Sequence, residues 1–251
     1  MEQMNIVLLL TGTVRPENMI LTKLLDPTVR KEQYLDALNF WLTHTDFPIV
    51  FVENSGVDLS AHFESGIISG RLEILTFRDG DHSNEYGKGY GEINCMRYAH
   101  THSALLQKAD FLFKVTGRLK VINFRSFSKP DLLKNVDVTA DLSNTLAYAD
   151  SRFWGYAPAF FAKHLAGLQH ELNDSLGVYF EHILAKSIIG SIREGGSFRP
   201  FNTRLRVEGV SGTSQKSYHS GFFVWYIRDL VKKMKHRSLI KSLDRIGGVH
   251  G

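Results

Sequence analysis

Cysteine is nearly absent from this sequence, and long apolar runs are missing altogether. Cys95 is the only cysteine, so no internal disulfide can form and a secreted fold held by disulfides is excluded. No stretch approaches the roughly 20 apolar residues that a membrane-spanning helix needs. The apolar run at 4–10 is too short for the hydrophobic region of a signal peptide, and no basic segment precedes it. These absences predict a cytoplasmic protein that does not span a membrane.

Linkers, internal repeats and low-complexity tracts are also missing. Hydrophobic residues make up 43% and charged residues 22% of the chain, which is an ordinary globular composition. A chain of 251 residues can bury one large core, so one domain is a simpler expectation than two. We predict one domain over 1–221, followed by a basic C-terminal appendage over 222–251.

Acidic residues do not balance the basic ones, and the formal net charge is +4. A basic chain suits nucleic acid, an anionic membrane or a phosphorylated substrate as its partner. No recognised nucleic-acid-binding motif is present, and the basic residues do not alternate with stacking aromatics. Nucleic acid is therefore not expected as a partner. A nucleic-acid- or nucleotide-binding α/β module stays as an alternative function.

Short apolar runs alternate with stretches of helical periodicity. Continuous apolar runs typical of buried strands occupy 6–10 and 49–52, and two further strands are predicted over 72–77 and 111–115. Between them, apolar residues recur at three- and four-residue spacing, which indicates helices. The second half is less regular and ends in a predicted helix over 222–243. This alternation predicts a Rossmann-like α/β fold, with a mostly parallel sheet and helices on both faces.

Polar, glycine-bearing segments follow the four predicted strands. They begin at Thr11, Glu53, Arg78 and Lys114. In open α/β sheets the ligand lies outside the carboxyl ends of the strands. Four such segments converging on one crevice favour a ligand the size of a nucleotide.

The segment 85–92 is the most distinctive, because glycines stand at 87, 89 and 91. Alternate glycines let a backbone approach a ligand closely, and the helix that follows offers its positive N-terminus to phosphate. Lys88 adds a positive charge to this segment. The alternative interpretation is that 85–92 is an ordinary flexible loop. A dinucleotide-binding or methyltransferase loop would follow the first strand, and a P-loop would need Gly-Lys-Ser/Thr. The position after the third strand therefore argues against a dinucleotide-binding or methyltransferase loop, and the absence of Gly-Lys-Ser/Thr argues against a P-loop. A methyltransferase on a related sheet remains the weaker alternative function.

The order of these segments resembles the glycosyltransferases of the GT-A fold, of the kind found in bacterial O-antigen and capsule synthesis. The resemblance covers roughly residues 5–189 as an order of elements. It implies an enzyme that transfers a hexose or related sugar from a nucleotide-sugar donor to a glycan acceptor. In surface polysaccharide synthesis that acceptor is expected to be lipid-linked.

The resemblance also implies where the donor binds. In that fold the loops after the first two strands hold the base and ribose, the helix before the fourth strand lies over the donor, and a late histidine touches the diphosphate. The donor-binding candidates are Thr11, Thr13, Arg15, Glu53, Asn54, Lys88, Gly89, Asn94, Arg97, Lys114, Thr116, Arg118 and His219.

This sequence departs from the family at the metal site. The fourth strand of that fold ends in an acidic Asp-x-Asp motif that holds a divalent metal, whereas here Lys114 and Arg118 occupy the equivalent stretch. Cations can neutralise a diphosphate in place of a metal, so we expect no cofactor. A manganese or magnesium ion at Asp79 and Asp81 is one alternative, and Lys114 and Arg118 as mere surface charges is another.

Sugar transfer with inversion needs a carboxylate that takes the proton from the acceptor hydroxyl. The resemblance places an acidic residue at the start of a late helix, which makes Glu181 the first candidate and Asp150 the second. A first-turn carboxylate also stabilises the helix dipole, and that is the structural alternative for Glu181.

The predicted last helix is amphipathic and basic. Its apolar side chains are Phe223, Ile227, Leu230, Val231 and Met234, and its charges come from Arg228, Lys232, Lys233, Lys235 and Arg237. Such a helix suits an anionic membrane surface, which predicts peripheral attachment through 222–243 at the inner face of the cell membrane. The alternative is that the apolar stripe packs on the domain.

Overall fold

The structure, a computed structural model, describes residues 4–17, 22–80, 86–210, 217–218 and 221–247. Its strands in chain order are β1 (Ile6–Gly12), β2 (Ile49–Glu53), β3 (Leu72–Thr76), β4 (Phe111–Thr116), β5 (Lys120–Val121), β6 (Val138–Ala140), β7 (Phe153–Tyr156), β8 (Phe198–Pro200) and β9 (Val207–Glu208). Seven of them form one mixed sheet in the order β3-β2-β1-β4-β7-β6-β8, and β5 pairs with β9 in a small second sheet.

The first four strands of the large sheet run parallel. β1 lies between β2 and β4, with Leu8 opposite Ile49 on one side and Phe113 on the other. All seven residues of β1 are buried, as its uninterrupted apolar run predicts for a strand covered on both faces. β7 is inserted antiparallel to β4. The start of β7 therefore lies at the same sheet edge as the carboxyl ends of β1 and β4.

The helices in chain order are α1 (Pro27–His44), α2 (Glu64–Ile68), α3 (Lys88–His102), α4 (Pro158–Phe160), α5 (Phe180–Arg193) and α6 (Phe222–Asp244). α4 continues into a π turn at Phe161–Leu165 and a 3₁₀ turn at Ala166–Glu171. Further 3₁₀ turns are Ser60–His62, Leu106–Lys108, Phe124–Ser126, Pro130–Leu132 and Asp174–Leu176. α1 shows how a local signal sets a boundary: Asp26 accepts hydrogen bonds from the backbone of Thr28 and Val29, and Pro27 follows at the first helical position.

Two apolar cores lie on opposite faces of the sheet. Val7 and Leu9 of β1 pack with α3 and α5 on one face, whereas Leu8 and Leu10 pack with α1 on the other. Trp41 of α1 is fully buried in the second core. The predicted α/β architecture, a mostly parallel sheet with helices on both faces, is therefore confirmed.

The start of α3 corrects one prediction. The helix begins at Lys88, so Lys88, Gly89 and Gly91 lie in its first turns and not in a glycine-rich loop. Gly87, at φ 99°, sits just before the helix in a conformation that other residues rarely adopt.

α6 packs on the domain through only part of its surface. Asp229, Leu239 and Leu243 are buried, whereas Phe223 is 80% and Met234 78% exposed. The alternative that the apolar stripe packs on the domain is therefore wrong. Among the described residues, no helix is both long enough and apolar enough to span a membrane. The domain boundary after residue 221 stays a prediction.

We predict that Gly155→Ala destabilises the fold. A methyl group at position 155 of β7 would come within 2.6 Å of the Phe111 ring and 2.7 Å of the Phe113 ring. Overpacking of this kind costs about 1–3 kcal/mol in the free energy of unfolding, which urea denaturation followed by circular dichroism measures.

Gly190→Ala in α5 is the matched control, because a methyl group there meets nothing within 4 Å. Alanine in a helix interior should stabilise by about 0.5–1 kcal/mol. Equal urea midpoints for Gly155→Ala and the unmodified chain would contradict the packing described for β4 and β7.

Candidate active site

A crevice lies at the carboxyl ends of the parallel strands. It consists of a cavity of about 340 Å³ and a smaller one of about 100 Å³. Lys88, Glu92, Thr116 and Arg118 line both cavities, so the two are parts of one continuous space. The crevice is where the open-sheet rule places a ligand.

The smaller cavity lies at the end of β1. Thr11 and Thr13 line it, together with Arg30 from α1. Arg30 is buried, and its Nε donates to the Thr13 carbonyl at 2.7 Å while its Nη2 donates to the Tyr34 hydroxyl at 3.1 Å. Burial lowers the pKa of Arg30, but a guanidinium stays charged at any physiological pH. This end of the crevice therefore has a fixed positive charge.

Arg118 lies where the two cavities meet. It is only 9% exposed, and its Nη1 donates to the Gln33 side chain at 3.0 Å and to the Val210 carbonyl at 3.1 Å. Within the described residues, its Nε and Nη2 groups have no hydrogen-bond partner. A guanidinium held in this way can offer a pair of N–H groups to a phosphate.

The N-terminus of α3 faces the crevice, but a carboxylate of the chain itself occupies it. The backbone N–H of Lys88 donates to Asp174 Oδ2 at 2.8 Å. A side chain at position 87 would collide with Asp174, which explains the glycine there. The predicted use of this helix terminus as an open phosphate site is therefore corrected, because Asp174 stabilises the helix dipole in that place.

The Lys88 side chain lines both cavities. Burial lowers the pKa of its ammonium to about 8, an effect that Asp174 opposes and that the positive charges of Arg118 and Arg30 reinforce. Burial also raises the pKa of Asp174. The protonated fraction of Lys88 near neutral pH therefore depends on these neighbouring charges.

The position of Lys114 differs from both interpretations of the sequence, in which it either neutralises the diphosphate or is a surface charge. Its side chain is fully buried in β4, forms an ion pair with Glu92, and lies 3.3 Å from the Ser151 carbonyl. It lines neither cavity, so it is neither a surface charge nor a direct contact for a ligand. Burial lowers the pKa of Lys114, and the nearby carboxylates of Glu181 and Asp150 oppose that shift.

Glu181 and Asp150 occupy different environments. Glu181 lines the larger cavity in the first turn of α5, and the Ser151 hydroxyl donates to its Oε1 at 2.7 Å. Among the described residues, its Oε2 has no hydrogen-bond partner. Asp150 lies outside the cavity lining and is held by Arg152 at 2.5 Å. Arg152 in turn lines the larger cavity, with its guanidinium 5.0 Å from the centre of the Tyr218 ring.

Glu53 has a structural role in place of the predicted donor contact. Its carboxylate is fully buried and accepts backbone hydrogen bonds from Val14 at 2.8 Å, Ser55 at 3.0 Å and Val57 at 2.8 Å. It ties the loop after β1 to the loop after β2, and it lines neither cavity.

Asn54, Asn94 and Asp79 form a small network beside the crevice. Asp79 accepts from Asn54 Nδ2 at 3.2 Å and from Asn94 Nδ2 at 2.8 Å, and Thr13 donates to Asn54 at 2.6 Å. None of these three residues lines the two cavities. They position Thr13, which does.

The other predicted positions are not brought into the crevice. Arg15 and Arg97 are exposed and line neither cavity, and Arg97 donates to the Ala166 carbonyl at 3.3 Å. Asp81 and His219 lie outside the described residues. The predicted residues that do line the crevice are Thr11, Thr13, Lys88, Gly89, Thr116, Arg118 and Glu181.

The sequence analysis missed several lining residues. Arg30, Ser151, Arg152, Asp174 and Tyr218 line the crevice without having been candidates. The i, i+4 pair of Arg30 with Tyr34 is a local signal that could have been recognised. Asp174 gives no such signal, because it meets Lys88 across 86 residues of chain.

Comparison with known proteins finds similar chains only among solved structures. No protein-family model and no curated protein matches the chain. Among solved structures, a mannosyltransferase of Saccharomyces cerevisiae matches at TM-score 0.44 and 11% identity, covering 82% of this chain and 70% of its own. Core-mannan synthase A of Aspergillus fumigatus, in a manganese- and GDP-bound form, matches at TM-score 0.45 and 10% identity over 93% of this chain and 85% of its own.

Not every matching structure is a glycosyltransferase. An inositol-1-phosphate CTP transferase of T. maritima matches at TM-score 0.44 and 11% identity, covering 92% of this chain and 96% of its own. Nucleotide-sugar transferases are thus among the solved structures to which this chain is similar. Scores and identities this low carry no information about the activity or the biological setting of this chain.

We predict that Asp174→Asn lowers the pKa of Lys88. The Asp174 carboxylate favours the charged ammonium, so removing its charge must shift the titration of Lys88 below its value of about 8. Asparagine still caps a helix N-terminus well, so α3 should persist. Carbon-detected NMR titration of the lysine side chains measures the shift.

Asp131→Asn serves as the control, because Asp131 is 94% exposed and pairs with Lys134 at 3.8 Å. That substitution should leave the titration of Lys88 unchanged. An unchanged or raised Lys88 pKa in Asp174→Asn would mean that the carboxylate does not act on the ammonium.

Proposed function

We propose that the crevice binds a nucleoside-diphosphate sugar and that the protein transfers the sugar to a hydroxyl group of a glycan. The observation behind this proposal is the convergence of four cationic side chains, Arg30, Lys88, Arg118 and Arg152, on one space at the carboxyl ends of β1 and β4. A diphosphate needs such charges, because negative charge develops on it when it leaves the sugar.

The two cavities suit the two ends of the donor. The smaller one offers the hydroxyls of Thr11 and Thr13 at the end of β1, where the resemblance expects the base and ribose. The larger one contains Glu181 and has room for a sugar and an acceptor hydroxyl. Lys88 and Arg118 line both cavities, so the diphosphate belongs between the two ends.

Glu181 acts as the general base in this proposal. It accepts the proton of the acceptor hydroxyl, the acceptor oxygen forms a bond to the anomeric carbon, and the bond from that carbon to the diphosphate oxygen breaks. The electron pair leaves with the nucleoside diphosphate, whose charge Arg118 and Lys88 balance. Ser151 holds one Glu181 oxygen at 2.7 Å, which leaves the other for the proton.

The three carboxylates that line the crevice already have partners within the described part of the chain. Glu92 pairs with Lys114, Asp174 caps α3, and Glu181 accepts from Ser151. No group of three or more His, Cys, Asp or Glu side chains in the described ranges is arranged to hold a metal ion. We therefore propose that cations of the chain neutralise the diphosphate, with a manganese or magnesium ion at Asp79 and Asp81 as the alternative.

We place the reaction in surface polysaccharide synthesis, at the cytoplasmic face of a membrane. The support for this finer assignment is the order of elements that resembles O-antigen and capsule enzymes, together with the exposed apolar side of α6. A lipid-linked glycan is the acceptor that such a location favours.

We predict that Glu181→Gln lowers sugar transfer by roughly 10²- to 10⁴-fold, the usual contribution of a general base. Affinity for a nucleoside diphosphate should stay within about twofold, because the cations of the crevice are untouched. Turnover of a panel of nucleotide sugars, with water or a glycan as acceptor, measures the rate.

Glu194→Gln, at the opposite end of α5 and exposed, should retain full activity. Transfer by Glu181→Gln at the unmodified rate would remove Glu181 from the mechanism. The product identifies the reaction class, since sugar transfer from a nucleotide sugar releases a nucleoside diphosphate, whereas nucleotidyl transfer from the same donor releases a sugar phosphate.

We further predict that a nucleoside diphosphate raises the Tm in excess EDTA, because a ligand that binds only the folded state stabilises it. Arg118→Lys keeps the charge but loses the paired N–H groups, and Arg118→Ala loses both. The alanine variant should lose about 1.5–3 kcal/mol of binding free energy, roughly a 10- to 150-fold weaker Kd.

Lys134→Ala, an exposed substitution just after the 3₁₀ turn Pro130–Leu132 and away from the cavity lining, provides the control. Thermal shift gives the Tm values and isothermal titration gives the Kd. Binding that disappears in EDTA and returns with manganese would reverse the assignment of the cations as the diphosphate clamp.

A further inference from the structure

A second charged cavity lies between α6 and the body of the domain. Its volume is about 220 Å³, and it shares no lining residue with the crevice. Four cationic side chains line it: Arg204, Arg228, Lys232 and Lys235. We call this space the α6 groove.

The charges of the α6 groove are not balanced. Asp141 is the acidic residue in its lining, and Lys232 pairs with it at 2.5 Å. Within the described residues, the side chains of Arg204, Arg228 and Lys235 form no ion pair. Holding three further cations around one small space is unfavourable without an anion, because like charges repel each other. The groove is therefore electrostatically suited to a phosphate group.

The outer face of α6 is apolar and exposed. Phe223, Ile227 and Met234 are 80%, 61% and 78% exposed, and they follow the three- and four-residue spacing of one helical face. They lie roughly opposite Asp229 and Leu239, which are buried against the domain. The apolar side chains therefore point away from the protein.

The groove and the apolar face adjoin on the same helix. Arg228 and Lys235 occupy the flank between the buried side of α6 and its apolar side, and half-buried Lys232 lies beside them toward the buried side. Val231 lines the groove and is itself 45% exposed. A surface that accepted the apolar side chains would therefore place its own polar layer level with the groove.

A bilayer has this layered chemistry, with apolar chains beneath a layer of phosphates. A second copy of the chain fits less well, since pairing two such faces would bring groove cations against groove cations. A soluble phosphate would leave the apolar face in water. We propose that the α6 groove binds the phosphate of an anionic phospholipid while the outer face of α6 inserts at the membrane surface.

The test uses the full chain and vesicles of equal parts phosphatidylcholine and phosphatidylglycerol, with vesicles of phosphatidylcholine alone for comparison. The groove variant combines Arg228→Gln with Lys235→Gln, both exposed positions of α6. Its binding to the anionic vesicles, measured by co-sedimentation, should fall by roughly tenfold or more, since each cation near such a surface contributes about 1 kcal/mol.

A matched control removes the same charge elsewhere, through Lys108→Gln with Arg193→Gln, which are exposed and lie outside the groove. It should retain most of the binding. Phe223→Ser with Ile227→Ser should abolish binding and leave the Tm nearly unchanged, because both side chains are exposed. Nucleoside-diphosphate affinity should be the same in all variants, which separates this proposal from the proposed enzyme activity.

Four outcomes would overturn the lipid proposal. The first is equal binding of the groove variant and the unmodified chain to anionic vesicles. The second is equal binding of the unmodified chain to vesicles with and without phosphatidylglycerol. The third is stabilisation by inorganic phosphate or glycerol phosphate that depends on Arg228 and Lys235, without vesicle binding, which would indicate a soluble ligand. A concentration-dependent dimer lost in Phe223→Ser with Ile227→Ser, again without vesicle binding, would assign the apolar face to a second copy.

Discussion

The candidate active site depends on one buried charge, the ammonium of Lys114 in the middle of β4. A charge in the centre of a sheet is tolerated only when it is paired, and breaking such a pair costs about 3–5 kcal/mol. Its partner, Glu92, comes from α3, and the carbonyl of Ser151 approaches from the segment before β7. The buried ammonium therefore fixes α3 and the start of β7 against β4. Those elements supply Lys88, Thr116 and Ser151, so the shape of the crevice follows from this pair.

The crevice partly compensates its own positive charge before any ligand binds. Its lining carries the cations Arg30, Lys88, Arg118 and Arg152 and the carboxylates Glu92, Asp174 and Glu181. Asp174 stands at the α3 terminus, where an anion is favoured, and it also helps to keep Lys88 charged. An incoming diphosphate would meet cations that are already partly compensated, so its affinity depends on how far Asp174 and Glu92 remain in place.

The large sheet could be predicted from the sequence because the parallel strands are short and mostly apolar, β1 and β2 most clearly. β1 and β4 are buried on both faces, and a short, mostly apolar run flanked by turn residues is typical of such strands. The site was harder to predict, because its decisive contacts join distant parts of the chain. Asp174 reaches Lys88 across 86 residues, and Arg118 reaches Val210 across 92. Lys114 was misplaced for a related reason: a lysine at the end of a strand looks exposed unless the carboxylate facing it is known.

The position of β1 in the sheet also has a consequence for how the chain folds. β1 pairs with β2 on one side and with β4 on the other, and Asn5 bonds to Asp110 across 105 residues. Closing so long a loop costs entropy before the strand pairing repays it, which makes folding slow in sheets of this kind. During synthesis the apolar run of β1 must wait for β4 with one edge unpaired. The time between the two strands is therefore the interval in which this chain is most exposed to aggregation and has most need of a chaperone.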